Sequence, residues 1–473
     1  MTFWTPDNIR KVASGTWLAR PKIEEVSIDG VSIDSRTIAP GNVFVAISGD
    51  RFDGHAYARD AVAGGASMCI VSKKPDALRE PPPGGVVRVG DTRVAFRRLA
   101  RAYLKTLKGL RVVGITGSVG KTTLVRLVDA ALQGSLRGTA SIKSFNNDIG
   151  VPLTALRAQP GDRYLVCEVG MNEPGEIAPL SETIEPDVGV ITRIGSAHIG
   201  AFGSREGIAR EKAALLTHLQ PNGLAVLPHG ESLLDDVART LPNVITFGSS
   251  SECDVCVRAK PTRDGLETVF ELPSGATVRL PLLGAHHASN VAAALAVARR
   301  FNVDDDAFAA ALASFDPPEM RGQPVESGGV LLVNDAYNAS PDSAEAGLRA
   351  FAALIRERDP AARPVIVLGD MLELGDEAPE AHARLGRLFN ELFAERDVVL
   401  VTVGPMALFV ADGASRAGCE SMIFSEMTAD VAERIASRCE PGAAVYLKGS
   451  RAIGLEAVAK AIGTRHAGAG RAT

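Results

Sequence analysis

Residues 112–123 read Val-Val-Gly-Ile-Thr-Gly-Ser-Val-Gly-Lys-Thr-Thr, and these residue types suit the binding of a polyphosphate. Gly117 and Gly120 let the backbone turn so that successive N–H groups converge on an anion. A helix opening directly after them adds the positive end of its dipole. Lys121 supplies a mobile charge for the outer phosphates, and Thr122 a hydroxyl for Mg²⁺. Thr116, Ser118, Val119 and Thr123 complete the loop around the same ligand. The context fits. Val112–Ile115 is a short apolar run, and Leu124, Leu127, Val128 and Leu132 then recur at largely helical steps. The spacing departs from the common pattern at Ile115, where glycine is usual, with Gly114 one residue earlier. The plain alternative is a glycine turn carrying a surface lysine.

A nucleotide also needs a metal ion and a phosphoryl acceptor. Glu168 closes the apolar run Tyr164–Glu168, and a carboxylate at the C-terminal end of a parallel strand stands at the usual ligand crevice. Taken alone it could equally be a turn carboxylate. His198 follows the run Val188–Ile191, although a lone histidine is more often structural. Lys212 lies beyond Glu206 and Arg210, whose i, i+4 spacing also reads as a solvated helix face. Asn146 and Asn147 could make a turn or hold a polar substrate. Asp335 follows the run Val330–Val333, and Ser450 and Arg451 follow Ala444–Lys448, the arginine suiting a carboxylate. Ser35 and Arg36, and the loop Asp53-Gly54-His55, sit among turns near the N-terminus, where turn chemistry explains them about as well.

The elements that must position these groups fall into three stretches. Residues 1–85 mix strands expected at Val26–Ile33, Asn42–Ile47 and Ala66–Val71 with a helix at Ala56–Ala63, a small mixed α/β domain with hairpin character. Glu80-Pro81-Pro82-Pro83-Gly84-Gly85 reads as a linker. Residues 86–319 begin with an Arg-rich amphipathic helix at Thr92–Leu107. They then alternate strands and helices as a parallel sheet does, changing to antiparallel strands at Cys253–Leu280. After Pro317-Pro318, residues 320–473 alternate again as a doubly wound, Rossmann-like α/β domain with a frayed tail from His466. No G-x-G-x-x-G opens a helix there, which leaves a nicotinamide or flavin role unsupported.

The 473 residues carry 51 Lys and Arg against 56 Asp and Glu, a formal charge of −5 without a basic block, so a nucleic-acid partner is not expected. No apolar run approaches a membrane span, and the N-terminus lacks a signal-type core. Six cysteines, with one isolated pair at Cys253 and Cys256, make neither a disulfide framework nor a zinc site. A cytoplasmic monomer is expected.

Read in order, TGSVGKTT, SFNNDIGVP, EVGMNEPGEI, GSAHIGAFGSREGIAREKAALL, GAHHASNVAAA, NDAYNASPDS, GDMLELG and KGSR resemble the Mur ligase family of ATP-dependent amide-forming enzymes. DSRTIAPGNVFVAISGDRFDGHAYA is similar to that family's nucleotide-sugar-binding domain. The wording is most similar to the branch that joins D-alanyl-D-alanine to UDP-N-acetylmuramoyl-tripeptide (UDP-MurNAc-tripeptide). The resemblance implies an acyl-phosphate mechanism with ATP and two Mg²⁺ ions. Lys121 would meet the phosphates, Thr122 and Glu168 one Mg²⁺, and His198 the second. Lys212 would be carbamylated and help set the metals. Asn290 would contact adenine, and Arg321 and Asp335 would close over ATP. Asn146 and Asn147 would touch the UDP-sugar peptide. Ser35, Arg36 and Asp53-Gly54-His55 would hold the uridine nucleotide, and Ser450 and Arg451 would stand near the incoming dipeptide. Hinges are expected at Pro81–Gly85 and Pro317-Pro318. Val119, Ser340 and His287 stand where asparagine is common. The rival readings are a sister ligase adding a single amino acid, a folate relative, and a phosphate-loop ATPase or regulatory protein that makes no amide bond.

Overall fold

The computed structural model describes residues 3–467 except 23–25, 50–51, 77, 263, 359–361 and 415–418; the expected frayed tail lies, beyond 467, outside the described residues. Three α/β units follow one another, each built on its own main sheet.

The first sheet has the order Thr16–Ala19, Val86–Arg88, Met68–Val71, Val43–Val45, Val31–Ser32. Two sequence expectations change here. The strand expected over Val26–Ile33 shrinks to Val31–Ser32 and runs parallel to Val43–Val45, so the pair is not a hairpin. The reason is local. Asp34 accepts the Arg36 N–H and Asn42 accepts the Ala39 N–H, and these turns carry the chain round before it pairs. The proline-rich stretch is likewise no boundary or hinge between sheets. Val86–Arg88 beyond it pairs with Met68–Val71 and with Thr16–Ala19, so Pro81–Gly85 is a turn inside one sheet. Gly85 is required there. Its φ is +84°, and a Cβ would stand 2.5 Å from the Ala19 carbonyl oxygen.

The helix Thr92–Leu104 joins the first unit to the second. Its buried stripe of Ala95, Phe96, Leu99, Ala100 and Tyr103 packs against the helices Gly150–Arg157 and Ile177–Ile184. The second sheet is wholly parallel, in the order Val255–Cys256, Val244–Gly248, Leu224–Pro228, Val188–Ile191, Arg111–Thr116, Tyr164–Glu168, Gly138–Ala140. Arg111–Thr116 sits where strand order reverses, between the strands ending near Glu168 and Ile191, and the ligand crevice of such sheets opens at that point. The short edge strand Gly138–Ala140 has no apolar run to mark it, and Val255–Cys256, expected within an antiparallel stretch from Cys253, instead pairs parallel with Val244–Gly248. A separate antiparallel sheet, Arg258–Pro261, Thr268–Glu271 and Thr277–Leu280, matches the change of character in the sequence.

The third sheet runs Gln323–Ser327, Val330–Asn334, Ala444–Lys448, Pro364–Gly369, Val399–Val403, Glu420–Phe424, parallel except for its first edge. Its four inner strands coincide with the expected ones. The edges were missed because their polar, half-exposed sequences carry little periodic signal. Among the described residues no helix is long and apolar enough to cross a membrane. All six cysteines are free.

The joint between the first two units depends on the start of Thr92–Leu104. Asp91 accepts the Arg93 and Val94 N–H groups at 2.7 and 3.1 Å. Asp91→Ala should destabilise this helix by about 1 kcal/mol and lower the first thermal transition in calorimetry. An unchanged trace would show that packing alone holds the joint.

Candidate active site

The phosphate loop is shaped by close contacts from beneath. Gly117 has φ +149°, and a Cβ on it would lie 1.8 Å from Thr192 Oγ1, which itself donates to the Val119 carbonyl at 2.6 Å. Gly120, at φ +89°, precedes the helix Lys121–Gln133 and offers no side-chain cap, so the first-turn N–H groups remain open to an anion. Lys121 Nζ curls back to donate to the Gly117 carbonyl at 2.7 Å. Burial lowers its pKa; the Glu168 carboxylate opposes that shift and the Arg321 charge adds to it. Thr116 is fully buried at the end of the strand Arg111–Thr116, its hydroxyl without a hydrogen-bond partner among the described residues.

Glu168 is the centre of the site. Only 1% exposed, it receives the Thr122 hydroxyl at 2.8 Å on one oxygen and the Asn146 amide at 2.9 Å on the other. Its own N–H donates to Ser141 Oγ. Asn147 instead accepts the Gly150 and Ile149 N–H groups, fixing the start of the next helix. The strand end and the asparagine loop thus converge at Glu168.

The third unit faces these groups across a cleft of about 370 Å³, lined by Ser118–Thr122, Asn146, Asn147, Glu168 and His198 on one side and by Arg321, Tyr337, Glu373, Ser450 and Arg451 on the other. Arg321 stacks 4.1 Å above the Tyr337 ring and donates to Thr122 Oγ1 at 3.3 Å. Asp342, at the start of the helix Pro341–Arg358, accepts the Ser196 N–H at 3.0 Å. Ser450 Oγ accepts the Leu372 N–H, and so shapes the loop beside it. A smaller adjoining cavity of about 80 Å³ holds Thr123, Asn290, Asp335 and the paired rings of His286 and His287. Burial holds His287 well below its usual value, so it is neutral near pH 7. His287 Nδ1 lies 3.3 Å from the Asn290 amide nitrogen. Asp335 forms a 2.8 Å ion pair with buried Lys448, whose pKa burial lowers and this carboxylate supports.

His198 reaches across to Glu373 with Nδ1 2.7 Å from the carboxylate, and this bond holds Glu373 below the usual carboxylate range. Lys212 is no surface charge. It is 1% exposed, its only hydrogen-bond contact among the described residues is Met171 Sδ at 3.7 Å, and burial together with the Lys121 charge sets its pKa well below the normal lysine value. The solvated-face reading of this helix therefore fails at Lys212.

The first unit's candidates do not line the cleft. His55 Nε2 accepts the Ser72 N–H at 2.9 Å, so Nδ1 carries the proton it gives to Asp53 at 2.6 Å. Asp53 also pairs with Lys73, the main cause of its lowered pKa. Gly54 sits 2.6 Å, measured from a built Cβ, from the Ile47 carbonyl. These three residues build the loop. Ser35 adjoins Arg36, which is exposed and paired with Asp34. Arg93 links this unit to the second by donating to the Ser48 carbonyl and to Asp148.

Comparison with known proteins follows the same three units. Residues 27–104 match the Mur ligase family catalytic domain, 115–298 the Mur ligase middle domain, and 320–451 the Mur ligase glutamate ligase domain. The UDP-N-acetylmuramoyl-tripeptide–D-alanyl-D-alanine ligase of Bacillus subtilis is 32% identical over 96% of this chain and 97% of its own. The chain belongs to the Mur ligase family. Among solved Mur ligases, MurF from Acinetobacter baumannii superposes with a TM-score of 0.83 at 29% identity, covering 97% of this chain and 98% of its own. MurF ligase from Thermotoga maritima, solved in complex with ADP, gives 0.80 at 28% identity over 94% and 100%. Lys448, Thr192, Asp342 and Glu373 carried no role in the sequence reading. Each lies inside or beside a recognised motif, but its partner comes from a distant part of the chain.

Gly117→Ala should push Thr192 aside and weaken ADP binding by more than about tenfold, ~1.4 kcal/mol, in calorimetric titration. Binding as tight as that of the unaltered protein would show that the loop can shift without loss.

Proposed function

We propose that this Mur ligase joins D-alanyl-D-alanine to UDP-MurNAc-tripeptide, with ATP converted to ADP and phosphate. The observation that carries the reading is the pairing of opposed sheet ends. Phosphate loop, Glu168 and Asn146 occupy one wall of the cleft, and Arg321, Ser450 and Arg451 the other. The full-length similarity to ligases of that name supports the substrates, and the ADP complex of the Thermotoga relative supports the nucleotide.

A carboxylate is a poor electrophile. In the proposed reaction one oxygen of the tripeptide carboxylate attacks the γ-phosphorus, the β–γ bridging bond breaks, and ADP leaves. The dipeptide amine then attacks the acyl carbon, loses a proton, and phosphate departs from the tetrahedral intermediate. Lys121, the open N–H groups after Gly120, and Arg321 would hold the phosphoryl oxygens as charge spreads over them. Asn290, with His287 beside it, and Asp335 with Lys448 would hold the nucleoside end. Arg451 would attract the dipeptide carboxylate, and Arg36 the uridine nucleotide. Closure of the third unit would exclude water, which would otherwise hydrolyse the acyl phosphate.

The residues fit Mg²⁺. Thr122 and Glu168 offer hard oxygens, and His198 Nε2 has no hydrogen-bond partner among the described residues. No cluster of three His, Cys, Asp or Glu that could hold a metal occurs among the described residues. That suits an ion which combines one or two protein ligands with phosphate oxygens and water. When bound, Mg²⁺ would neutralise phosphate charge. Lys212 would carry a carbamate, since a buried amine with a depressed pKa is the neutral nucleophile that CO₂ requires.

The direct test measures phosphate release from ATP with UDP-MurNAc-tripeptide, with and without D-alanyl-D-alanine, and identifies the product by mass. Release requiring both, with a pentapeptide product, is expected. Preference for a single amino acid would move the protein to a sister ligase, and release indifferent to both would refute ligation. Lys212→Ala should lose activity that added short carboxylates partly restore; full activity without rescue would refute a carbamate.

A further inference from the structure

Glu373 belongs to the third unit and His198 to the second, yet the two form a 2.7 Å contact. Both residues adopt left-handed backbone, φ +64° at His198 and φ +67° at Glu373. Non-glycine residues hold that conformation only where their surroundings impose it. The surroundings here are specific. Met371 N–H donates to His382 Nε2 at 2.9 Å, Leu372 N–H to Ser450 Oγ at 3.0 Å, and the Glu373 carbonyl accepts the Gly200 N–H at 3.2 Å. Gly200 and Gly375 permit this approach, since a Cβ on Gly200 would lie 2.9 Å from the Gly375 nitrogen. A rigid loop of one unit therefore delivers a carboxylate to one ring nitrogen of a histidine on another.

We propose that Glu373 is a positioning residue that fixes the His198 ring, with Nδ1–H bonded to the carboxylate and Nε2 left as a lone pair for a divalent cation in the cleft. The inference rests on the proposed role of His198. Carboxylate partners of this kind orient the ring and raise the basicity of its other nitrogen. Because the partners lie on different units, separation of the units breaks the pair. The histidine is then oriented for the cation only when the third unit is closed, which ties cation binding to exclusion of water.

Two readouts test this in the full-length protein. Ring ¹⁵N shifts of histidine-labelled protein, with the His198 signal assigned by its loss in His198→Asn, report the tautomer without any metal. Mn²⁺ titration of the ADP-loaded protein, followed by electron paramagnetic resonance, reports the cation. Glu373→Ala should turn a single Nδ1–H tautomer into a mixture and weaken one Mn²⁺ by about tenfold. It should also lower kcat with little change in KM for ATP. Glu373→Gln keeps an acceptor oxygen and should lie between. An unchanged tautomer and unchanged Mn²⁺ binding in Glu373→Ala, with His198→Asn still impaired, would overturn the inference alone. Mn²⁺ binding unaffected by His198→Asn would overturn the proposed role of His198 and the inference with it.

Discussion

A carboxylate buried at the end of a central strand needs compensation, and the active cleft is arranged around that need. Glu168 is almost inaccessible to water, where an unpaired charge would be strongly unfavourable. Its two oxygens take hydrogen bonds from Thr122 and Asn146, the Lys121 charge lies within its field, and Arg321 reaches it through the Thr122 hydroxyl. Thr122 belongs to the helix that follows the phosphate loop, Asn146 to the next crossover, and Arg321 to the third unit. One carboxylate thus registers three separate stretches of chain against one another.

Sheet topology makes this possible. Arg111–Thr116 lies between Tyr164–Glu168 and Val188–Ile191, so the phosphate loop, Glu168 and Thr192 emerge side by side. In the third sheet, Val330–Asn334, Ala444–Lys448 and Pro364–Gly369 are adjacent, and their C-terminal ends present Asp335, Ser450 and Glu373 together. The two crevices face each other. Around the cleft, polar pairs cross the divide, among them Arg321 to Thr122, Asp342 to Ser196, and Glu373 to His198, while Leu283 of the second unit shares an apolar cluster with Ala350 and Leu354 of the third. The apolar packing of Thr92–Leu104 against Gly150–Arg157 and Ile177–Ile184 holds the first two units together.

Much of this was legible in the sequence because strong strands end at the reactive groups. The runs before Gly117, Glu168, Asp335 and Ser450 are short, apolar and correctly located. Proline punctuation misled at Pro81–Gly85, because turn residues mark any sharp reversal and do not distinguish a turn within a sheet from a linker. The parallel pairing of Val31–Ser32 was hidden for a related reason: two nearby strands usually form a hairpin, and here the turns redirect the chain. The Asp53-Gly54-His55 loop read equally well as turn chemistry, and His55 does support that loop through Asp53 and Ser72. Lys212 looked solvated by spacing alone, since helix periodicity does not reveal which neighbour covers a face. Partners such as Lys448 with Asp335 and Glu373 with His198 join residues over a hundred positions apart, which no local pattern records.

The central claim is that the cleft transfers a phosphoryl group to a substrate carboxylate. The most direct measurement uses UDP-MurNAc-tripeptide with ¹⁸O in its terminal carboxylate, together with ATP and D-alanyl-D-alanine, and weighs the released phosphate by mass spectrometry. Phosphate carrying one ¹⁸O atom is the predicted result, because the oxygen that attacks phosphorus leaves with it when the amide forms. Unlabelled phosphate accompanying amide formation would mean that the carboxylate is never phosphorylated, and would contradict the account.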